Sequence, residues 1–409
     1  MKHQSKHILF NAAVIVAALG YFVDIYDLLL FSVVRVPSLI ALGIPSEEIT
    51  SKGLLLLNVQ MAGMLIGGVF WGILGDKKGR VSTLFGSILL YSIANIANAF
   101  VQTVDQYAVL RFIAGIGLAG ELGVGITLVS EILPKETRGY GTMIVAGIGV
   151  TGAILANFVA KFDWRIAFFV GGIMGFSLLL LRIKVSESSM FSDMHAQKST
   201  SIKKGSFVQL LSTPALLKKF IYCILIGMPT WFVVGILVTL APEFAKQHGI
   251  MSGITGGDAV AFCYAGLAIG DFLTGWLSQK YQSRKKVMKQ FLVFNIICVI
   301  GYLLLPFTSV AIFYGWIFLL GISVGFWAIF VTIAAEQFGT NLRATVATTV
   351  PNIARGSLNI ISLTFATLIP ILGMKFSALS IGLACTVIAL LALIPLKETF
   401  AKDLNYTEH

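Results

Sequence analysis

The sequence predicts an all-α membrane protein of twelve transmembrane helices in two pseudo-symmetric six-helix bundles. Three observations lead there. Of 409 residues, 57% are hydrophobic and only 12% charged, against ~25% charged in soluble domains. The apolar runs are continuous rather than alternating and approach the ~20 residues needed to cross a ~30 Å hydrocarbon core, which selects helices over a barrel. Finally, landmarks in the first half recur in the second at close to one offset.

Runs bounded by charges, Gly or Pro predict helices over 9–34, 54–74, 81–100, 107–132, 140–160 and 164–184. A second set covers 218–241, 258–280, 287–305, 308–334, 344–372 and 375–396. Between the sets, 185–217 is the only long polar segment, carrying Ser186, Glu187, Asp193, His195 and Lys198, and reads as a cytoplasmic linker. The expected division is therefore an N-terminal bundle over 1–184 and a C-terminal bundle over 218–409. The first run lacks a small-residue cleavage site and is too long for a signal-peptide core, so it stays as helix 1.

The repeat supports that division. Glu131 and Arg138 map with an offset of 205 onto Glu336 and Arg343, and Gly120 onto Gly325. An offset of 203 takes Gly67 and Gly72 to Gly270 and Gly275.

A net charge of +11 raises the question of nucleic acid. The Lys and Arg concentrate in the segments predicted to be cytoplasmic, including Lys203-Lys204, Lys218-Lys219 and Arg284-Lys285-Lys286. Membrane orientation absorbs that excess, and no nucleic-acid partner is expected. Cys223, Cys263, Cys298 and Cys385 lie within apolar runs without paired spacing, which indicates neither a disulfide framework nor a metal site. No nucleotide-binding loop, His-rich set or nucleophile triad is present, so no enzymatic chemistry and no cofactor are expected.

Four motifs carry a resemblance. Gly72-Ile-Leu-Gly-Asp-Lys-Lys-Gly-Arg80 is predicted to form a tight polar turn between two helices, with Asp76 at a helix end where it needs a cation or another helix's N-terminus. Arg111-Phe-Ile-Ala-Gly-Ile-Gly-Leu-Ala-Gly-Glu121 continues to Glu131-Ile-Leu-Pro-Lys-Glu-Thr-Arg-Gly139. Asp163-Trp-Arg165 opens helix 6, and Asp24-Ile-Tyr-Asp27 lies on helix 1. Together they resemble the major facilitator superfamily of secondary transporters, and the helix 1 motif is similar to that of its metabolite:proton symporters, which carry organic acids, shikimate, proline and betaine. Two departures stand out: Gln279 occupies the position of an acid in the second loop, and Ile25 that of an aromatic residue.

The resemblance implies a proton-coupled symporter of a small organic anion or zwitterion, driven by the proton gradient and working as a monomer within the lipid bilayer. Arg80, Glu131 and Arg138 are expected to form a cytoplasmic cluster in the first half, and Arg284, Glu336 and Arg343 another in the second. With Asp76 they make a gate whose breakage favours the inward-open state.

Ions at membrane depth cost at least ~2.5 kcal/mol each and mark sites by default. Here they are Asp24, Asp27, Arg111, Glu121, Asp271 and Arg355. An Asp27–Arg111 pair would leave Asp24 to titrate, although a permanent triad of the three fastening helix 1 to helix 4 is an open alternative. Glu121 follows glycines, and a fixed hydrogen bond within the first half competes with a role in proton coupling. Asn352, Arg355 and Asn359 share one face of helix 11 with Thr348. Arg355 has no counterpart in the first half and offers a planar fork for an anionic substrate, with a buried Asp271–Arg355 pair as the alternative. Trp231 and Trp327 are candidate covers for a substrate's apolar face. Two other functions use similar parts: a proton antiport exporter of a drug-like or siderophore-like molecule, and a non-transporting membrane sensor.

Overall fold

A computed structural model describes residues 12–45, 47–182 and 205–408, and its regular elements are all helices. The polar residues of the predicted linker up to Lys204 lie outside the described residues. The spans are α1 (Ala12–Ala41), α2 (Ile49–Lys78), α3 (Arg80–Asn98), α4 (Val104–Ile132), α5 (Arg138–Val159) and α6 (Trp164–Arg182). They continue with α7 (Pro214–Val238), α8 (Gly256–Lys280), α9 (Arg284–Leu304) and α10 (Val310–Gln337). Arg343–Leu393 is one run of 51 residues that holds two spans, α11 (343–372) and α12 (374–393). Gly373, at φ 72°, turns the chain between them.

Local chemistry explains the starts. Thr103, Thr255, Ser283 and Ser309 each accept, through the side-chain oxygen, a hydrogen bond from the backbone N–H three residues on. Such caps are worth about 1 kcal/mol each. They open α4, α8, α9 and α10 at the point where the apolar runs begin.

Two expectations need correction. The predicted polar turn at 72–80 is almost entirely helix: α2 runs to Lys78, and Gly79 alone, at φ 103°, separates it from α3. Asp76 therefore sits in the last turn of α2, with its carboxylate directed by that helix. The second correction concerns continuity. Helix α4 breaks between Leu118 and Glu121, α5 between Gly149 and Gly152, and α10 between Val324 and Trp327, while α7 contains a π-helical turn over Val233–Val238. Hydropathy cannot register such breaks, because averaged over a span the sequence stays apolar across them, even where Glu121 follows the break in α4.

Breaks at membrane depth leave backbone groups that need partners. Asp271 of α8 accepts from the N–H of Ala328 (2.9 Å), and Thr274 donates to the carbonyl of Gly325 (3.0 Å). In the other half, Trp71 of α2 donates to the carbonyl of Ile116 (2.6 Å), just ahead of the break in α4.

These pairings reflect a repeated crossing. A Cβ on Gly67 or Gly115 would fall on the backbone carbonyl of the facing helix, so α2 and α4 touch main chain to main chain. Gly270 and Gly321 impose the same contact on α8 and α10. Close glycine crossings of this kind supply the packing that hydrophobicity cannot supply inside lipid.

Candidate functional site

Where the two bundles meet, a cavity of about 300 Å³ is walled by Tyr21, Ile25 and Leu28 of α1 and Val150 of α5 from one half. Thr230, Trp231 and Val234 of α7, Tyr264 and Leu267 of α8, Trp327 of α10 and Arg355 of α11 complete it from the other. Among the described residues, Arg355 is the sole charged one in the wall.

Arg355 is held by aromatic faces. Its guanidinium carbon lies 5.6 Å from the Trp231 ring centroid and 5.9 Å from that of Trp327, and the two indoles meet edge to face at 5.9 Å. Such contacts are worth roughly 0.5–2 kcal/mol and fix the plane of the fork. Among protein groups, its Nη1 donates to Asn352 at 3.3 Å. Its Nε and both indole N–H groups have no hydrogen-bond partner among the described residues. The site is therefore a small, largely apolar slot with a cation at one edge and unspent donors around it.

The alternative of an Asp271–Arg355 pair is not what forms. Asp271 is used as the cap of the second segment of α10, and among the described residues no ion pair joins it to Arg355. Nor does the polar face of α11 line the cavity along its length. Asn352 turns toward α4, donating to the carbonyls of Ala119 (3.1 Å) and Thr348 (2.8 Å), and Asn359 is exposed.

The acids of α1 divide. Tyr21, Ile25 and Leu28 face the cavity; Asp24 sits at the edge of that face, and Arg355 is the strongest cationic influence on it. Asp27 points into the N-terminal bundle, where its carboxylate fills the place a side chain at Gly171 would take. Arg111 acts on Asp27 electrostatically, but the expected ion pair is not closed. Its guanidinium lies instead over Phe31 and Phe168, 5.4 Å from each centroid. A fastened triad is likewise absent among the described residues. Glu121 is paired with Arg182 at the end of α6, in the space kept by Gly20.

The charged gate is assembled, with its partners exchanged between halves. Glu131 accepts from Arg80 of its own half (2.9 Å) and from Arg343 of the other (2.6 Å). Glu336 takes a two-pronged bond from Arg284 (2.6 and 2.8 Å), with Arg138 across the interface at 3.8 Å. The expectation of one self-contained cluster per half is thus corrected: Arg138 and Arg343 each reach the other half's glutamate.

Asp76 completes the seal. It accepts from the N–H groups of Ala344 (3.0 Å) and Thr345 (2.9 Å) and from the Thr345 hydroxyl (2.7 Å), so the last turn of α2 caps α11. Gln279 performs the related task at α5. With its amide turned to satisfy both neighbours, it accepts from the Gly139 N–H (3.0 Å) and donates to the Glu136 carbonyl (2.9 Å). This uncharged residue, in the last turn of α8 rather than in a loop, is a weaker copy of the same cap.

A C-terminal tail crosses this gate. The carbonyl of Leu404 accepts from Arg343 (2.6 Å) and that of Lys402 from Arg138 (3.2 Å), while Glu398 accepts the first N–H groups of α9. Sequence reasoning did not find the tail's role, since its residues look like an ordinary polar end. It also missed Arg182, which with Lys184 nearby reads as a basic helix terminus; a glutamate at membrane depth without an evident partner was the available signal.

An all-helical bundle with a central slot, a single cation and a charged seal on one face is the anatomy of a secondary transporter. The chain belongs to the Major Facilitator Superfamily, whose model matches residues 17–363. It is 29% identical over 84% of its length to a putative metabolite transport protein of Haemophilus influenzae, covering 85% of that protein. It is 26% identical over 81% of its length to a putative niacin/nicotinamide transporter of Bacillus subtilis, covering 81% of it. Among solved structures, the proton:xylose symporter XylE bound to 6-bromo-6-deoxy-D-glucose superposes with a TM-score of 0.78 at 16% identity, over 98% of each chain.

Proposed function

We propose that the chain is a proton-coupled symporter of a small, flat monocarboxylate such as nicotinate, working by alternating access in a cytoplasmic membrane. The observation that carries this reading is the Arg355 fork held between Trp231 and Trp327 at the edge of a small apolar slot. A carboxylate meets the fork, and an aromatic ring meets the indole faces and apolar wall. Relatives named for niacin transport add support for a ring of that size.

The basic face, with its excess of Lys and Arg, is taken as cytoplasmic with both termini on it. The assembled gate then closes the cytoplasmic side, and rocking the bundles would part Glu131 from Arg343 and Asp76 from α11. Asp24, within electrostatic reach of Arg355, is the link between substrate and proton. A carboxylate bound at Arg355 competes for the cation that favours ionised Asp24, so substrate and proton load together.

The test is uptake of labelled nicotinate into proteoliposomes under an imposed pH gradient. Accumulation that collapses with an uncoupler is expected; accumulation indifferent to the uncoupler overturns the coupling. Arg355→Lys, which keeps the charge but loses the fork, is expected to raise KM at least about tenfold. Normal transport by that variant sinks the carboxylate assignment.

A further inference from the structure

The interior of the N-terminal bundle is polar where it has no need to be. Both carboxylate oxygens of Asp24 and the hydroxyl of Tyr91 are buried without a hydrogen-bond partner among the described residues, and the buried Asp27 carboxylate and Asn95 amide have only each other's company, with no well-formed bond between them. Glu121 and Arg182 satisfy each other only in part, leaving Oε2 of the one and Nε and Nη1 of the other. Buried donors and acceptors in that number call for water to serve them.

These groups form a file. On α1, Gly20, Asp24 and Asp27 follow helical spacing along one face, as Tyr91 and Asn95 do on α3. Gly20 leaves the space filled by Glu121 and Arg182, Gly171 that filled by Asp27, and Gly175 that filled by Ser92. Tyr91 lies at the centre, within electrostatic reach of Asp24, Asp27, Glu121 and Arg182.

At its basic end the file meets a second, smaller cavity, where Arg182 lies among Ala13, Ala17, Leu84 and Leu128. None of Asp27, Tyr91, Asn95 or Glu121 touches the substrate slot. The C-terminal bundle shows that the scaffold does not require such a core. There Asn295 donates to Ser323 (2.9 Å) and accepts from Thr386 (3.2 Å), and the group closes on itself.

We propose that protons travel between Asp24 and Asp27 and the basic face through the interior of the N-terminal bundle, by way of Tyr91, Glu121 and Arg182 to the second cavity, and not through the substrate slot. This rests on the proton-coupled reading above and gives it a path. A proton leaves the acid form of Asp24 or Asp27, restoring the carboxylate, and passes along water held by Asn95 and Tyr91 to the carboxylate of Glu121. Glu121 becomes a neutral acid while Arg182 keeps its charge, and then releases the proton to water in the cavity. Only O–H bonds break and form.

The route separates two activities of the full-length protein in proteoliposomes: nicotinate accumulation driven by a pH gradient, with lumen pH followed by a trapped dye, and exchange of labelled for unlabelled nicotinate at equal pH. Exchange needs no proton release, so a blocked route spares it. Tyr91→Phe removes one hydroxyl, and Ala17→Leu plugs the mouth without altering a charge; Glu121→Gln removes the acceptor. Each is expected to cut driven accumulation and the accompanying pH change at least tenfold, with exchange within twofold of wild type. Equal losses in both assays for Tyr91→Phe and Ala17→Leu make the file a packing feature and overturn the route, as does driven accumulation that survives all three changes. A wild-type protein whose accumulation ignores the pH gradient is a different failure, since it removes the coupling itself.

Discussion

Replacing Asp76 by Ala removes three hydrogen bonds to the start of α11, all of which cross between the bundles. Loss of a helix cap costs about 1–2 kcal/mol, and loss of a buried negative charge at a helix N-terminus about 1–2 kcal/mol more. With the gate open, Asp76 would keep Arg80, 3.4 Å away at the start of α3, and would gain water. The open form therefore loses little, and the closed form is destabilised by about 2–4 kcal/mol relative to it. At about 1.4 kcal/mol per decade the closed-to-open ratio falls by roughly 30- to 1,000-fold. The assay is maleimide labelling of Ala347→Cys in a protein whose four native cysteines, all buried, have been replaced. Ala347 is fully buried, and its carbonyl meets the place of a side chain at Gly123 in the opposite half, so a thiol there reports separation. Labelling should accelerate at least tenfold with Asp76→Ala. An unchanged rate would refute the argument that this cap holds the gate.

Gly72→Leu should hold the same gate open, because even a Cβ there would come within 2.7 Å of the Thr345 Cα on the other bundle; fast labelling with loss of transport is the expected pair of results. Gln279→Ala removes two uncharged bonds worth about 1 kcal/mol net, so labelling should rise about fivefold, and an effect matching that of Asp76→Ala would contradict the ranking. Glu398 anchors the tail; burial raises its affinity for a proton, but bonds from Ser283, Phe400, Arg284 and Thr399 prevail and hold its pKa below the ordinary value. A depressed carboxylate stabilises above its unfolded pKa of about 4.3 and loses that contribution as pH falls through the folded value. Protection of residues 394–408 against hydrogen exchange, taken relative to the intrinsic amide rate at each pH, should therefore be high at pH 7 and fall only below the usual carboxylate range, whereas Glu398→Gln should lose it at pH 7.

The helical membrane architecture could be read from the chain because it depends on long apolar runs and their punctuation. Glu131 and Arg343 stood out because charges beside apolar runs recur at a fixed offset, and Asp76 because it is a lone acid in a basic stretch, without such a counterpart. Partner choice was not legible. Whether Arg343 bonds Glu336 or Glu131 depends on how two bundles dock, and no spacing within one helix encodes it. Asn359 followed Arg355 in periodicity, yet the slot ends before reaching it. Asp271 looked like a counter-ion, but the break in α10 at Gly325 presents N–H groups that claim it first. Arg182 escaped notice because a basic residue closing an apolar run ordinarily sits in water.

The main-chain contact between α2 and α4, matched by α8 against α10, leaves no compressible side chain at either crossing. Neither bundle can bend there without tearing its own backbone packing. Under the proposed rocking of the bundles, changes of shape would concentrate at the seam, and because the slot takes its walls from both halves, its contour would be redrawn there while each half's own wall stays rigid.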